Sequence, residues 1–257
     1  MLNPVYILIR TSRRPEFFRV CMESVRSQTY KNIVTIVHTD DPRDTYAKGD
    51  ITIKGSYPGI DYGSAPYNLY CNSLLKAIPE GEGWYHFLDD DDMYAAPDVI
   101  EKLVENSKRD HVNVAHVMRW NNKIFPDNWG KIDKGFQTEC FFLHTDHKLK
   151  AKWWANKGGD GYYSKQLLKT MPVNWIENLL VCKAQTGKGH GRRDDLNGNI
   201  PECNLNPSDK VVVMALRPYR KGLKRDWLMQ GEKKWLDYMT ASMLEKDGIV
   251  RITHYSN

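Results

Sequence analysis

Residues 84–94 read WYHFLDDDDMY: an apolar run, four consecutive aspartates, and an immediate return to apolar character at Met93. Residues 84–88 are short, aromatic and bounded by turn residues, which predicts a buried strand. The aspartates Asp89, Asp90, Asp91 and Asp92 then fall at its C-terminal end. Neighbouring carboxylates raise one another's cost of ionisation. Such a run is either a solvated loop or a place where a cation compensates the charge. The apolar flanks favour the second reading, because charge held against apolar surface is costly when uncompensated. Oxygen ligands suit Mg2+ or Mn2+, which take one or two carboxylates together with phosphate oxygens.

The chain around this stretch repeats the strand pattern. Residues 5–9 and 33–37 are β-prone apolar runs, 51–53 a shorter one, and 112–117 another. Between them lie helical patterns: one opened by Pro15, one over 67–78 and one opened by Pro97. Short apolar strands alternating with helices over residues 4–117 predict an α/β fold with a mostly parallel sheet. Ligands of such sheets bind at the carboxyl ends of the strands. Three of those ends are polar here: Arg10 with Thr11, Ser12, Arg13 and Arg14; His38 with Thr39, Asp40 and Asp41; and the aspartate run. Further on, strands are expected over 136–143 and 179–182, loop over 184–209 and a helix over 226–244.

The 257 residues, 41% hydrophobic, can bury a full core without staples. A net charge of +5 suits an anionic ligand, substrate or surface. Cys21, Cys71, Cys140, Cys182 and Cys203 show no zinc spacing and read as free thiols of a reducing compartment. No membrane span is visible, and no basic region precedes the first apolar run, so a soluble cytoplasmic protein is expected.

VYILIRTSRRPEFFRVCMESVRSQTYKNIVTIVHTDD (residues 5–41), taken with FLDDDD (residues 87–92), resembles the opening of the GT-A glycosyltransferases of the family 2 type. The resemblance is strong over residues 4–104 and patchy to about 195. It implies a GT-A fold, with a Rossmann-like, mostly parallel sheet, flanking helices and a less regular acceptor-side region. The implied division is a nucleotide-sugar-binding half (1–118), an acceptor and catalytic-base half (119–208) and a C-terminal basic segment with a helix (209–257). It further implies a nucleotide-diphosphate-sugar donor and Mn2+ or Mg2+ at the DxD motif. Asp91 is expected first among the metal ligands, then Asp89, which could instead reach the ribose, then Asp92, with Asp90 turned away but still beside the nucleotide.

Other roles follow from the same resemblance. Asp40 or Asp41 matches the aspartate that contacts the nucleoside base, and Thr11 the turn lying against the nucleotide. Arg10 replaces the family's usual proline. Arg13 and Arg14 either line a solvated turn or bind the diphosphate. Asn72 either matches an asparagine near the nucleotide or is a polar residue on a helix face. The general base falls on Asp160 in GGDGYY, which a helix N-cap aspartate would also explain; the second acid common there is missing. His190 either completes the metal shell or has no role, and Arg192, Arg193 and Lys188 could close over the diphosphate. Trp129, Trp153 and Trp154 are an acceptor platform or ordinary packing. The implied reaction is a single inverting displacement, by a hexosyl- or pentosyltransferase.

The acceptor stays open between a surface glycan and a hydroxymethylated base in phage DNA. The basic segment 217–225, RPYRKGLKR, is a solvated linker, or meets an anionic membrane surface or DNA, the last bearing on the second option. Two rival classes remain. A sugar nucleotidyltransferase would carry a glycine-rich loop after the first strand, which RTSRRPEF lacks. A non-catalytic nucleotide or nucleic-acid binder would show no transfer.

Overall fold

The computed structural model describes residues 2–41, 43–55, 65–127, 129–131 and 136–186. Lys188, His190, Arg192, Arg193, Cys203, the basic segment 217–225 and the helix expected over 226–244 lie outside the described residues.

Strand β1 (Val5–Thr11) is buried over its first five residues, as a strand covered on both faces must be. Helix α1 (Pro15–Arg26) starts on a proline, whose missing N–H would be unbonded there anyway, and buries Phe18, Cys21, Met22 and Val25. β2 (Ile33–Thr39) pairs in parallel with β1, and β3 (Ile51–Lys54) in parallel with β2. A short 3₁₀ turn, Pro66–Asn68, leads into α2 (Leu69–Ala77), which packs on β1 and β2. β4 (Trp84–Phe87) joins the other side of β1, again in parallel. The C-terminal ends of β1, β2 and β4 therefore share one edge, and Thr11, Asp40 and Asp89 stand on it.

The remaining elements are β5 (Met93–Tyr94), α3 (Val99–Asn106), β6 (Val112–Arg119), β7 (Ile124–Phe125), β8 (Phe141–His144), α4 (Gly159–Leu168) and β9 (Val173–Ala184). The sheet order is β3-β2-β1-β4-β8-β6-β9-β5, with β7 on β6. β8 is antiparallel to β4 and β6, β9 is parallel to β6, and β5 and β7 are antiparallel to their partners. Six strands (β1, β2, β3, β4, β6 and β9) thus share one direction, giving the expected α/β architecture. No helix among the described residues is long and apolar enough to cross a membrane. Cys21, Cys71, Cys140 and Cys182 are buried free thiols.

Two expected strands change shape. Over 136–143 only Phe141 onward is strand; a 3₁₀ turn, Thr138–Cys140, precedes it and turns Glu139 inward. Over 179–182 the strand reaches back to Val173. Its register against β6 slips where β6 advances from Val114 to His116 while β9 advances from Trp175 to Leu180. Asn178 sits in this irregularity with φ 59, a left-handed conformation that asparagine tolerates. The irregularity breaks the alternation that would have made the whole strand legible.

Candidate active site

The end of β1 and the turn that follows it supply cations to the aspartate run. Arg10 donates from Nε and Nη2 to Asp89 Oδ1 (2.7 Å) and Oδ2 (2.8 Å), a forked pair of the strong kind. Arg14 donates from Nη1 to Asp90 Oδ1 at 2.7 Å, and its Nη2 lies 3.1 Å from Asp91 Oδ2. Thr11 donates to Asp90 Oδ2 at 2.8 Å. Burial pushes Asp90 up to about 7; Arg14 opposes this, Asp91 and Asp89 reinforce it, and the Thr11 hydrogen bond opposes it.

The second strand end is held in the same manner. Arg13 has φ 54, unusual for a side chain of its size. Two bonds fix it there: its N–H donates to Asp44 Oδ2 at 3.1 Å and its Nε to Asp41 Oδ2 at 3.0 Å. Burial pushes the Asp41 carboxyl up, but hydrogen bonds from Arg43 and Arg13 prevail and hold it well below the usual carboxylate range. Asp40 Oδ2 accepts from the Tyr70 hydroxyl at 2.7 Å. That tyrosine stacks on His38 at 4.4 Å, and burial lowers the imidazole to about 4, so it is neutral.

The four aspartates divide into two pairs. Asp90 and Asp91 turn to Arg14. Asp92 is buried, with Oδ2 accepting from the Asp89 N–H (3.0 Å) and Oδ1 from the Gln185 N–H (2.7 Å). Carboxylate oxygens of Asp89, Asp92 and Glu139 lie within 4.8 Å of one another. Glu139 is 5% exposed and its Oε2 has no hydrogen-bond partner. Burial, then the charge of Asp89, pushes Glu139 up to about 8. Burial, then Glu139, Asp91 and Asp89, raises Asp92 well above its ordinary value. An all-oxygen set with one buried oxygen left unbonded fits a hard divalent cation, which would compensate charge that burial disfavours. The grouping differs from the order drawn from the sequence: Glu139 stands with Asp89 and Asp92, and Asp91 is not in the cluster. Nothing in the sequence pointed to Glu139, which lay inside an apparent strand 47 positions after Asp92.

Asp160 stands in the first turn of α4. Its Oδ1 accepts from the Gly161 N–H at 2.8 Å, so it caps locally, and its Oδ2 has no hydrogen-bond partner among the described residues. Burial raises its pKa; the Gly161 N–H and Arg10 pull it down, and Asp89 pushes it up. Asp160 borders a cavity of about 380 Å³. Arg119, Phe125, Phe136 and Gln137 form one side of it, and Gly158, Tyr162 and Lys165 the other.

A hydrogen-bonded line ties this helix to the aspartates. Asn68 Nδ2 donates to the Asn156 carbonyl (2.8 Å), and its Oδ1 accepts from Arg10 Nη1 (2.7 Å), which in turn holds Asp89. Gly159 lets the line pass: a Cβ there would lie 2.5 Å from Asn68 Nδ2. Asn72 is placed on a helix face, with both amide atoms bonded to the backbone of Trp153 (2.9 and 3.0 Å). Trp153 is core, stacked on Tyr163 at 4.8 Å; Trp129 stacks on His116 at 3.9 Å; Trp154 is exposed.

The family model described as "Glycosyl transferase family 2" matches residues 6–172, more than half of the chain. No curated protein matches the sequence. By structure the chain is similar to residues 1–349 of TarS from S. aureus (TM-score 0.53, 10% identity, 95% of this chain and 72% of that one). It is similar to the same fragment in complex with UDP (TM-score 0.54, 13% identity, 76% and 62%). A third similar structure is the mannosyltransferase PcManGT from Pyrobaculum calidifontis with GDP-Man and Mn2+ (TM-score 0.52, 11% identity, 77% and 61%). The chain spans 38% of the longer TarS chain it matches. At these identities the likeness speaks for the fold.

Proposed function

The chain belongs to glycosyl transferase family 2, and on that premise we propose that it transfers a sugar from a nucleoside-diphosphate donor to an acceptor hydroxyl with inversion, Asp160 acting as general base. Family membership sets aside the nucleotidyltransferase and the non-catalytic binder. One observation carries the proposal. Asp160 combines a carboxylate oxygen unbonded among the described residues, a raised pKa, electrostatic reach to Arg10 and Asp89, and a place on the wall of an open cavity. A base needs reach to the acceptor and a pKa drawn toward the working pH.

In this reading the acceptor hydroxyl enters from the cavity and gives its proton to Asp160 Oδ2. Its oxygen bonds to the anomeric carbon from the face opposite the leaving group. The bond from that carbon to the diphosphate oxygen breaks, and the nucleoside diphosphate departs with the electron pair. Thr11, Arg13, Asp40 and Asp41 line the nucleotide end. Arg10 and Arg14 exchange carboxylate partners for diphosphate oxygens as the donor arrives.

Asp89, Asp92 and Glu139 would hold a divalent cation, Mn2+ or Mg2+, with Asp91 near enough in sequence to contribute. Such a cation supplies charge neutralisation for the departing diphosphate. The test is a thermal-shift series of UDP- and GDP-sugars, with and without Mn2+. A donor at a hundredfold excess over its Kd stabilises by about 2.7 kcal/mol. Silence from every donor would remove the nucleotide site, and full turnover by Asp160→Asn would remove the base.

A further inference from the structure

The cavity beside Asp160 holds two cations that have no acid partner among the described residues. Among the described residues Arg119, at the end of β6, hydrogen-bonds through Nε alone, which donates to Gln137 Oε1 at 3.0 Å. Its guanidinium lies over the Phe125 ring, 4.2 Å from the centroid, so the plane is fixed while Nη1 and Nη2 stay open. Lys165 follows Asp160 along α4 and borders the same cavity with no hydrogen bond or ion pair among the described residues. By contrast Arg10, Arg13, Arg14 and Arg109 all lie on carboxylates. A fixed guanidinium with two free donors is shaped for an oxyanion, which it meets in a fork.

Arg119 also stands on a different strand from the arginines that meet the aspartate run. In the sheet, β6 lies three strands from β1, through β4 and β8. At ~4.8 Å per strand that is about 14 Å from the turn carrying Arg10 to Arg14. Tyr162, exposed on the same helix, adds an aromatic wall of the kind that packs against a sugar ring.

We propose that the acceptor carries an oxyanion, a phosphate or a carboxylate, close to the hydroxyl that receives the sugar, and that Arg119 and Lys165 bind it and so set that hydroxyl against Asp160. The proposal rests on the reading of Asp160 as the base. It favours an anionic saccharide over nucleic acid. A nucleic-acid site neutralises a run of phosphates, and this cavity offers two cations.

Binding of glucose 6-phosphate, glucuronate and glucose to the full chain, followed by NMR at low salt, compares one ring with a phosphate, a carboxylate and no charge. At least one anionic sugar should bind about tenfold tighter than glucose, and whichever leads identifies the oxyanion. Arg119→Gln and Lys165→Glu should each erase the preference while UDP or GDP binding with Mn2+ stays intact, which also reports that the variants are folded. Equal binding of the three sugars, or a preference that survives in the double variant, overturns the proposal. So does an oligodeoxythymidylate that binds more tightly than both anionic sugars and loses its affinity in the same variants. Absence of UDP and GDP binding in the unaltered chain is a separate failure, that of the donor reading.

Discussion

The two ends of the site hold charge in opposite ways. At the ends of β1, β2 and β4, Asp41, Asp89, Asp90 and Asp91 are already matched by Arg10, Arg13 and Arg14. Around the cavity, Arg119 Nη1 and Nη2, Lys165 Nζ and Asp160 Oδ2 have no hydrogen-bond partner among the described residues. These carboxylates at the first end are paired before any ligand arrives, while Asp92 and Glu139 beside them have no such pair among the described residues, so donor binding there is an exchange of partners and cation binding a compensation of what is left. The second is open, so binding there is an addition. It follows that side chains at the first end support the fold as well as the reaction, whereas those at the second can be altered with the fold intact.

The largest expected effect tests the open end. Asp160→Asn should lower kcat by about 10²–10⁴-fold, the range typical of a lost general base. Its stability should stay within about 0.5 kcal/mol of the parent. Steady-state rates of nucleoside diphosphate release, read beside a urea titration, check both halves; an equal loss in each would erase the contrast.

Arg14→Ala probes the matched end. It strands Asp90 in the interior, and breaking a buried pair from one side costs about 3–5 kcal/mol. Urea denaturation should show that loss even without ligand. A variant as stable as the parent would mean that the pairing is incidental.

Glu139→Gln separates cation from fold. Removing one ligand oxygen's charge should weaken Mn2+ binding by about tenfold or more, measured by electron paramagnetic resonance titration. In the absence of metal, the sign of the stability effect is fixed by the raised pKa. The folded chain keeps a proton on Glu139 up to about 8, whereas the unfolded chain releases it near the ordinary 4.5. Stability contributed in this way is complete below the unfolded value and is lost as pH rises through the folded one. The parent should therefore weaken over that interval, and E139Q should weaken less.

The smallest expected effect concerns coupling between the ends. Burial lifts Asp160 and Arg10 holds it down, so the acid limb of kcat/KM should lie above 3.8, the ordinary aspartate value. Arg10→Ala should move it to still higher pH. A limb that stays in place would show that the two ends do not sense each other.

Where chain-local physics decides the structure, the sequence was readable. Residues 5–9 and 35–37 bury both faces, Pro15 opens α1, and the aspartate run follows β4 as its apolar flank predicts. What escaped depends on contacts made across the chain. β5 spans two residues and is defined only by its pairing with β9. Glu139 reads as part of a strand until a 3₁₀ turn brings it to Asp89 and Asp92. Arg10 was legible as a departure from the family's proline, but its partner Asp89 is 79 positions away. Arg119 and Lys165 had no sequence signal at all, because what distinguishes them is the lack of an acid partner among the described residues.

Gly159 and Asn68 leave a rule for sequence variation. Asn68 is bonded at both ends of its amide, to Asn156 and to Arg10, so it cannot swing aside for a Cβ that would stand 2.5 Å away. The two positions are therefore read by selection as one. A relative that regains a side chain at 159 must shorten 68, and one that shortens 68 must find another anchor for the arginine at 10. Among homologues, positions 10, 68 and 159 should covary as a triplet.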